Sequence, residues 1–410
     1  MLRKFWQSES GNFGAITAIA AVPILAGMAG AIDYTMTLNK TGQLQNSLDA
    51  AALAIATGYY QGMSDDELGQ VGQDSFDANM AGISSGTQSM DYEDELPDDL
   101  AAMATADGDE FFITATSGLV HQGLVGGMDW TVHRRSVVRI RKGPPACVLA
   151  LDPKADSAVK IQGSTDVVME GCVIAANSKS STAIYRGGAA LLEALCVNTV
   201  GRTSGLGNIS NVKLDCAAPM ENQYPSFDPL LGVVPPSYTG CQGLPGGKTK
   251  TLSPGTYCNK TISGDVTLQP GTYILRGGQV KLGGNGKLVG SGVTIFLMEG
   301  AEFSVNGNEI LQLTPPTSGP YAGITIFQEK SNTNTIAING TSGSFVSGFV
   351  YAPGAHVFYA GNSATSTLTA CLRLVGKTIE MTGNSSMKSD CSVELGGRDM
   401  LASRYMSIVR

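Results

Sequence analysis

The stretch that decides the fold is Pro254-Gly255-Thr256-Tyr257, which returns as Pro270-Gly271-Thr272-Tyr273. Beyond it, Gly-Asn pairs recur at 284–285, 307–308, 361–362 and 383–384. Two of the three intervals between these pairs are about 23 and 22 residues, and repeats with periods of roughly 20–50 residues are typical of solenoids. Strand-like segments lie between the marks, at Val266–Leu268, Tyr273–Leu275, Gln279–Leu282, Lys287–Val289, Val293–Met298, Glu302–Val305, Ile310–Leu313, Ile324–Gln328 and Thr335–Ile338.

This repetition predicts a mainly β domain. Roughly three strand segments fall in each period, and one such unit cannot bury its inward face alone, so neighbouring units must stack. Glycine and asparagine supply the left-handed backbone positions that the corners need. The pattern favours a right-handed parallel β-helix-like solenoid. A β-sandwich is the alternative, because it also consists of short strands separated by turns.

All the cysteines lie after the apolar amino-terminal segment. Taken in consecutive twos, they are about 25, 20, 17 and 20 residues apart, which is short enough for local loop closure. An even number confined to a part predicted to be exported indicates disulfides in an oxidising compartment. We therefore predict sequential pairing of Cys147 with Cys172, Cys196 with Cys216, Cys241 with Cys258 and Cys371 with Cys391.

A membrane helix is predicted near the amino end. Residues 11–32 carry no charge, and about 20 apolar residues suffice to cross a bilayer. Arg3 and Lys4 precede this stretch and Asp33 follows it, so the positive-inside rule keeps the amino end in the cytoplasm and exports the rest. A cleavable secretory signal is the alternative, but its apolar region is usually only about 7–15 residues long.

The helical pattern continues past the membrane segment as an amphipathic stalk. Apolar side chains at helical spacing form one stripe, whose members are Leu44, Leu48, Ala51, Ala52 and Ile55. The alanines permit close approach of another helix, so the stripe predicts contact with a partner helix or with a packed domain surface.

These patterns predict the organisation of the whole chain. The predicted segments are a cytoplasmic tail at 1–10, a transmembrane helix at 11–32, a stalk helix at 33–60, an acidic linker with a small α/β region at 61–142, a glycine-rich disulfide-bonded β-solenoid at 143–395, and a C-terminal tail at 396–410.

The amino-terminal motifs resemble a known family. Gly11-Asn12-Phe13-Gly14-Ala15-Ile16, then Gly30–Tyr34, Gln43–Asn46 and Asp49–Ala54, resemble the amino-terminal module of TadG-like proteins of the Tad/Flp pilus assembly system. The resemblance covers roughly residues 9–57. It implies an inner-membrane protein with its bulk in the periplasm, acting in pilus biogenesis with other Tad pilus assembly proteins as partners. The oligomeric state is left open.

The chain departs from two properties of such proteins. Some TadG-like proteins carry a von Willebrand A domain, whose metal site needs Asp-x-Ser-x-Ser after a buried strand. Here Asp152 is followed by Lys154 and Asp156 at the hydroxyl positions, so that site is not made. Relatives processed like prepilins have an early Glu in the membrane segment, whereas position 16 is Ile.

The remaining residues favour a non-enzymatic role. His121, His133 and His356 lack metal-ligand spacing, and the acidic residues between 260 and 390 are scattered rather than paired. We expect no cofactor, no metal and no catalytic site. The formal net charge of −8 argues against nucleic-acid binding. The competing function is an adhesin-like binding module of the cell envelope, with a β-helix that takes glycan or protein.

Overall fold

A computed structural model describes most of the chain. The described residues are 10–60, 63–81, 89–96, 110–123, 129–141, 143–164, 166–207, 210–238, 240–339, 341, 343–362, 371–388, 391, 395, 398, 400–402 and 405–409. Nearly all of the predicted cytoplasmic tail, and parts of the predicted acidic linker and C-terminal tail, lie outside these ranges.

The described chain divides into two compact units. The first contains the described residues up to position 100, those from 108 to 141 and those from 406 onward. The second contains those between 142 and 405.

The first unit combines two helices with an antiparallel sheet. Its helices are α1 (Ser10–Tyr60) and α2 (Asp65–Met80). The sheet has the order β1-β2-β3-β26, with strands β1 (Asp91–Asp94), β2 (Glu110–Gln122), β3 (Asp129–Arg141) and β26 (Tyr405–Val409). Burial alternates along β2, as expected when one face of a sheet is covered and the other meets solvent.

Helix α1 is 51 residues long and runs unbroken through Pro23. Its amino half exposes apolar side chains, whereas its carboxyl half buries one face from Leu44 onward. Helix α2 buries Leu68, Gly72, Phe76 and Met80, which recur every four residues and so lie on one face. At Gly72 an added Cβ would lie 2.7 Å from Cδ1 of Ile55, so this glycine lets the two helices approach closely.

The second unit consists of strands, most of them short. They are β4 (Ala146–Ala150), β5 (Val159–Ile161), β6 (Asp166–Ala176), β7 (Ile184–Arg186), β8 (Leu191–Thr199), β9 (Thr203–Ser204), β10 (Val212–Leu214), β11 (Thr249–Leu252), β12 (Gly255–Cys258), β13 (Thr261–Ile262), β14 (Asp265–Leu268), β15 (Gly271–Arg276), β16 (Gln279–Val280), β17 (Lys287–Gly290), β18 (Val293–Met298), β19 (Glu302–Val305), β20 (Ile310–Leu313), β21 (Ile324–Gln328), β22 (Ile336–Asn339), β23 (Phe345–Val346), β24 (Gly348–Asn362) and β25 (Leu372–Lys388).

These strands pair in parallel with the strand one repeat away. Thus β11 pairs with β14 and β14 with β17, while β12 pairs with β15 and β15 with β18. The predicted repeat is therefore a structural one. The large parallel sheet is compatible with a β-helix-like fold. Among the named strands of this unit that the structure describes, none makes the antiparallel ladder of a β-sandwich.

The order of stacking differs from the order of the chain. One row of paired strands, here called the β12–β8 row, runs β12-β15-β18-β21-β24-β25-β4-β6-β8. Strand β25, near the end of the domain, pairs with β4 at its beginning, where Leu374 lies opposite Val148. The amino-terminal strands of the domain therefore extend the stack that the carboxyl-terminal strands begin.

A long connection makes this order of stacking possible. Residues 221–248, here called the strap, return the chain from the β8 end of the row to the β12 end, and their described residues, all but 239, form no strand. Along the way they contact successive repeats through these hydrogen bonds: Asn177 Nδ2 to the Ser226 carbonyl (2.7 Å), Tyr351 Oη to Asp228 Oδ2 (2.8 Å), Tyr321 Oη to the Val234 carbonyl (3.2 Å), Tyr238 Oη to Glu299 Oε1 (3.1 Å) and Gln242 N to the Thr256 carbonyl (2.7 Å).

The β12–β8 row is apolar on both of its faces. Strand β18 is buried at every position, as strands covered on both sides generally are. One face joins the main core of the repeats. The other carries an aromatic ladder of Phe296, Phe327 and Tyr351, with ring centroids 5.2 and 4.8 Å apart. Leu230 of the strap belongs to the cluster on that side.

The cysteines form the sequential pairs that their spacing favours. The disulfides are Cys147–Cys172, Cys196–Cys216, Cys241–Cys258 and Cys371–Cys391. The third one joins the end of the strap to β12. The first and the last flank the fully buried Arg373, whose guanidinium lies 3.4 Å from Cys147 Sγ.

Candidate functional site: helix α1 and the hairpin beside it

The amino half of α1 carries a continuous series of exposed large apolar side chains. Its large apolar side chains point outward in all directions, with Ile19 at 75% and Leu25 at 64% exposure. A helix of a water-soluble domain would bury one such stripe. By length and composition, α1 is the one described helix that could cross a membrane.

The carboxyl half of α1 carries the predicted contact stripe. Leu44, Leu48, Ala51, Ala52 and Ile55 are each 0% exposed. They face the chain's own α2 and sheet, so the stripe contacts a packed domain surface. In this structure the chain's own elements cover the stripe, and contact with a helix of a partner protein stays a prediction. The periodicity marks a buried face but does not say what covers it.

A buried polar cluster marks the point where α1 changes from exposed to buried. Asp33 and His121 are nearly inaccessible to solvent, with Asp33 Oδ1 4.0 Å from His121 Nε2. Lys40 Nζ lies 3.3 Å from His121 Nδ1. The cluster ties strand β2 to α1, and Gln45 Nε2 ties β3 to it by donating to the Arg135 carbonyl (3.1 Å).

This cluster is suited to fixing structure. Among the described residues, no group of three or more His, Cys, Asp and Glu side chains is placed to hold a metal ion. Sequence reasoning left His121 without a role, because its partners Asp33 and Lys40 are far away in the chain. His133 lies over Gly118 on the hairpin, where an added Cβ would be 2.9 Å from Nδ1 of the ring.

His356, the third histidine, lies in the second unit. Its Nδ1 is 2.8 Å from Oγ1 of Thr378 on the neighbouring strand. Burial lowers the pKa of this imidazole below its ordinary value, and the nearby Glu380 only partly opposes the shift. The side chain is half-buried, so a neutral ring that hydrogen-bonds across two strands accounts for its environment.

Comparison with known proteins identifies the amino-terminal part. Residues 11–57 match the family model described as putative Flp pilus-assembly TadE/G-like. The chain carries a TadE/G-like segment. No curated protein and no solved structure matches the chain.

The TadE/G-like segment corresponds to most of helix α1. It includes both the exposed apolar half and the buried stripe, and it ends at position 57, three residues before the helix does. In this chain the matched segment is therefore exposed and apolar at its amino end and packed against the rest of the first unit at its carboxyl end. The second unit lies outside the match.

Proposed function

We propose that this chain is a non-enzymatic component of Tad/Flp pilus assembly, held in the inner membrane by α1 and acting by protein–protein contact. One observation carries the proposal. The segment that matches the pilus-assembly family is also the helix whose amino half exposes apolar side chains in all directions. Exposed apolar surface of this extent in water is costly, and a bilayer removes the cost.

The charges and the disulfides support a periplasmic position for the rest of the chain. Arg3 and Lys4 lie before the apolar stretch and Asp33 is the first charge after it, which favours a cytoplasmic amino end. The four disulfides all lie beyond that stretch, and disulfides persist in the oxidising periplasm rather than in the cytosol.

We further propose that the second unit is a right-handed parallel β-helix. The parallel pairing of strands one repeat apart supports it, and parallel β connections are right-handed in nearly all known cases. Because the stalk stripe is buried, partner contact falls to the exposed half of α1 and to the outer faces of the domains.

The proposal is tested by deleting the gene and imaging pili. Loss of pili, restored by the full chain, supports an assembly role, as does co-purification of Tad assembly proteins with the membrane-extracted chain. A matched pair of variants sharpens the test. Leu25→Arg places a charge in the exposed apolar half of α1, and this variant should fail to restore pili. Gln70→Arg places the same charge on the exposed face of α2, and this variant should restore pili fully. Normal pili in the deletion strain would contradict the proposal.

A groove in the second unit favours a second candidate function, glycan binding at the cell envelope. The groove encloses about 460 Å³ and is lined by Gln162, Ser164, Tyr185, Thr382 and nearby glycines. An aromatic ring with amide and hydroxyl groups around it can stack on a sugar and bond its hydroxyls. Under this function the deletion strain keeps its pili but loses glycan binding, and Tyr185→Ala has the same effect.

A further inference from the structure

The β2–β3 hairpin runs along α1 toward the apolar end of that helix. Near the middle of α1, Gln45 bonds the Arg135 carbonyl. Closer to the amino end, Lys40 and Asp33 contact His121. His121 pairs with Trp130 near the end of the hairpin. The His121–Trp130 pair is therefore level with residues 33–40 of α1.

That level coincides with the edge of the apolar segment. Asp33 is the first charge after the uncharged stretch that begins at Gly11. At a rise of about 1.5 Å per residue, the span from Asp33 to Lys40 is about 10 Å. The interfacial layer on each side of a bilayer is of similar thickness, about 5–8 Å, since the hydrocarbon core takes about 30 Å of a total of 40–45 Å.

Side chains suited to that layer are exposed at this level on both elements. On α1, Tyr34 is 67% exposed and Leu38 is 53% exposed. On the hairpin, Val120 is 55% exposed and Trp130 is 41% exposed. The Trp130 ring stacks on the buried His121 with centroids 6.0 Å apart, so its position is fixed relative to α1.

We propose that the β2–β3 hairpin makes a second membrane contact through Trp130 and Val120, which lie in the interfacial layer beside α1. Tryptophan and tyrosine favour that layer because each ring combines an apolar body with a polar group. The inference rests on the proposed anchoring by α1. Its consequence is that the first unit is held at a fixed tilt on the bilayer.

Tryptophan fluorescence tests this directly, because the chain has two tryptophans, Trp6 and Trp130. In Trp6→Phe the native Trp130 is the only reporter. The full chain is reconstituted into phosphatidylcholine–phosphatidylglycerol vesicles that contain lipids brominated at defined depths. We expect blue-shifted emission from Trp130 and stronger quenching by bromines near the headgroup than by bromines near the bilayer centre.

Two further single-tryptophan variants, made in Trp6→Phe/Trp130→Phe, provide the matched controls. Leu25→Trp reports the exposed half of α1 and should be quenched most by deep bromines. Gln70 on α2 is close in sequence to Leu68 and Val71, which pack beside Gly58 of α1. Gly58 is about 37 Å along α1 from Asp33. The tryptophan in Gln70→Trp should therefore emit as in water and should not be quenched.

The outcomes separate the two proposals. If Leu25→Trp is quenched while Trp130 emits as in water, α1 is anchored and the hairpin contact is overturned. If Leu25→Trp is not quenched either, the anchoring fails and the hairpin contact fails with it. Equal quenching of Trp130 by shallow and deep bromines would overturn the interfacial position.

Discussion

At the scale of single residues, the space around each glycine at a corner of the repeats determines whether a side chain is tolerated there. Gly278 has φ of +71°, and a Cβ added there would lie 2.3 Å from the Lys260 carbonyl oxygen of the preceding repeat. Gly284 has a similar φ of +64°, but nothing lies within 4 Å of its added Cβ. The two glycines share a backbone conformation and differ in how closely the next repeat approaches.

We therefore predict that Gly278→Ala destabilises the chain more than Gly284→Ala. Left-handed backbone costs a non-glycine residue about 1–2 kcal/mol, which is the full expected loss at Gly284. At Gly278 the clash with a backbone atom adds to that loss, because a carbonyl in a paired repeat cannot rotate away. Thermal denaturation of both variants measures the difference. Equal losses would show that the repeats are not stacked this closely.

At the scale of elements, the strap lies outside the repeats, so the repeat pattern in the sequence does not predict it. It covers the aromatic ladder, and its half-buried Asp228 accepts a hydrogen bond from Tyr351. Burial raises the pKa of Asp228 above its ordinary value of 3.8, although the bonds from Tyr351 and from the Leu230 amide oppose the shift. The charged form of this carboxyl is thus less favourable in the folded chain than in the unfolded one.

A pH dependence of stability follows from that shift. Below pH 3.8 the carboxyl is protonated in both states. As the pH rises above 3.8, the unfolded chain ionises first, so the free energy of unfolding falls until the folded carboxyl ionises too. Asp228→Asn should remove this decline while its amide oxygen keeps the bond from Tyr351.

Denaturant titrations of wild type and Asp228→Asn from about pH 4 to pH 7 measure the effect. Tyr351→Phe provides the complementary variant. It removes a hydrogen bond that favours the charged form, so the decline should extend to higher pH. Parallel curves for all three proteins would mean that the Asp228 carboxyl is not buried in the folded chain.

The disulfide Cys241–Cys258 fixes the end of the strap to the first repeat. It closes a loop with a sequence separation of 17, and a loop of that size is expected to contribute about 3 kcal/mol. Replacing both cysteines with serine should lower the free energy of unfolding by that order and expose the strap to limited proteolysis near Leu231 and Val234, which are exposed already. Unchanged resistance to proteolysis would show that the strap is held by its other contacts alone.

At the scale of the whole molecule, the sequence predicts local features and misses long-range ones. Local loop closure favours the disulfide pairs, and glycine recurrence indicates the repeats, since both involve residues close in the chain. The pairing of β25 with β4 could not be predicted, because the two strands lie far apart in the chain and no motif near either one identifies its partner. The elements that cover the stalk stripe, α2 and the sheet, could not be predicted for the same reason. The Asp33–His121 contact likewise joins residues from separate elements.

The central claim is that α1 anchors the chain in the inner membrane with the disulfide-bonded domain in the periplasm. Protease treatment of spheroplasts, followed by alkaline extraction of the membranes, tests it most directly. The claim predicts that the chain resists alkaline extraction and that protease added outside intact spheroplasts removes the second unit. A chain released by alkali, or a second unit protected until the spheroplasts are lysed, would contradict it.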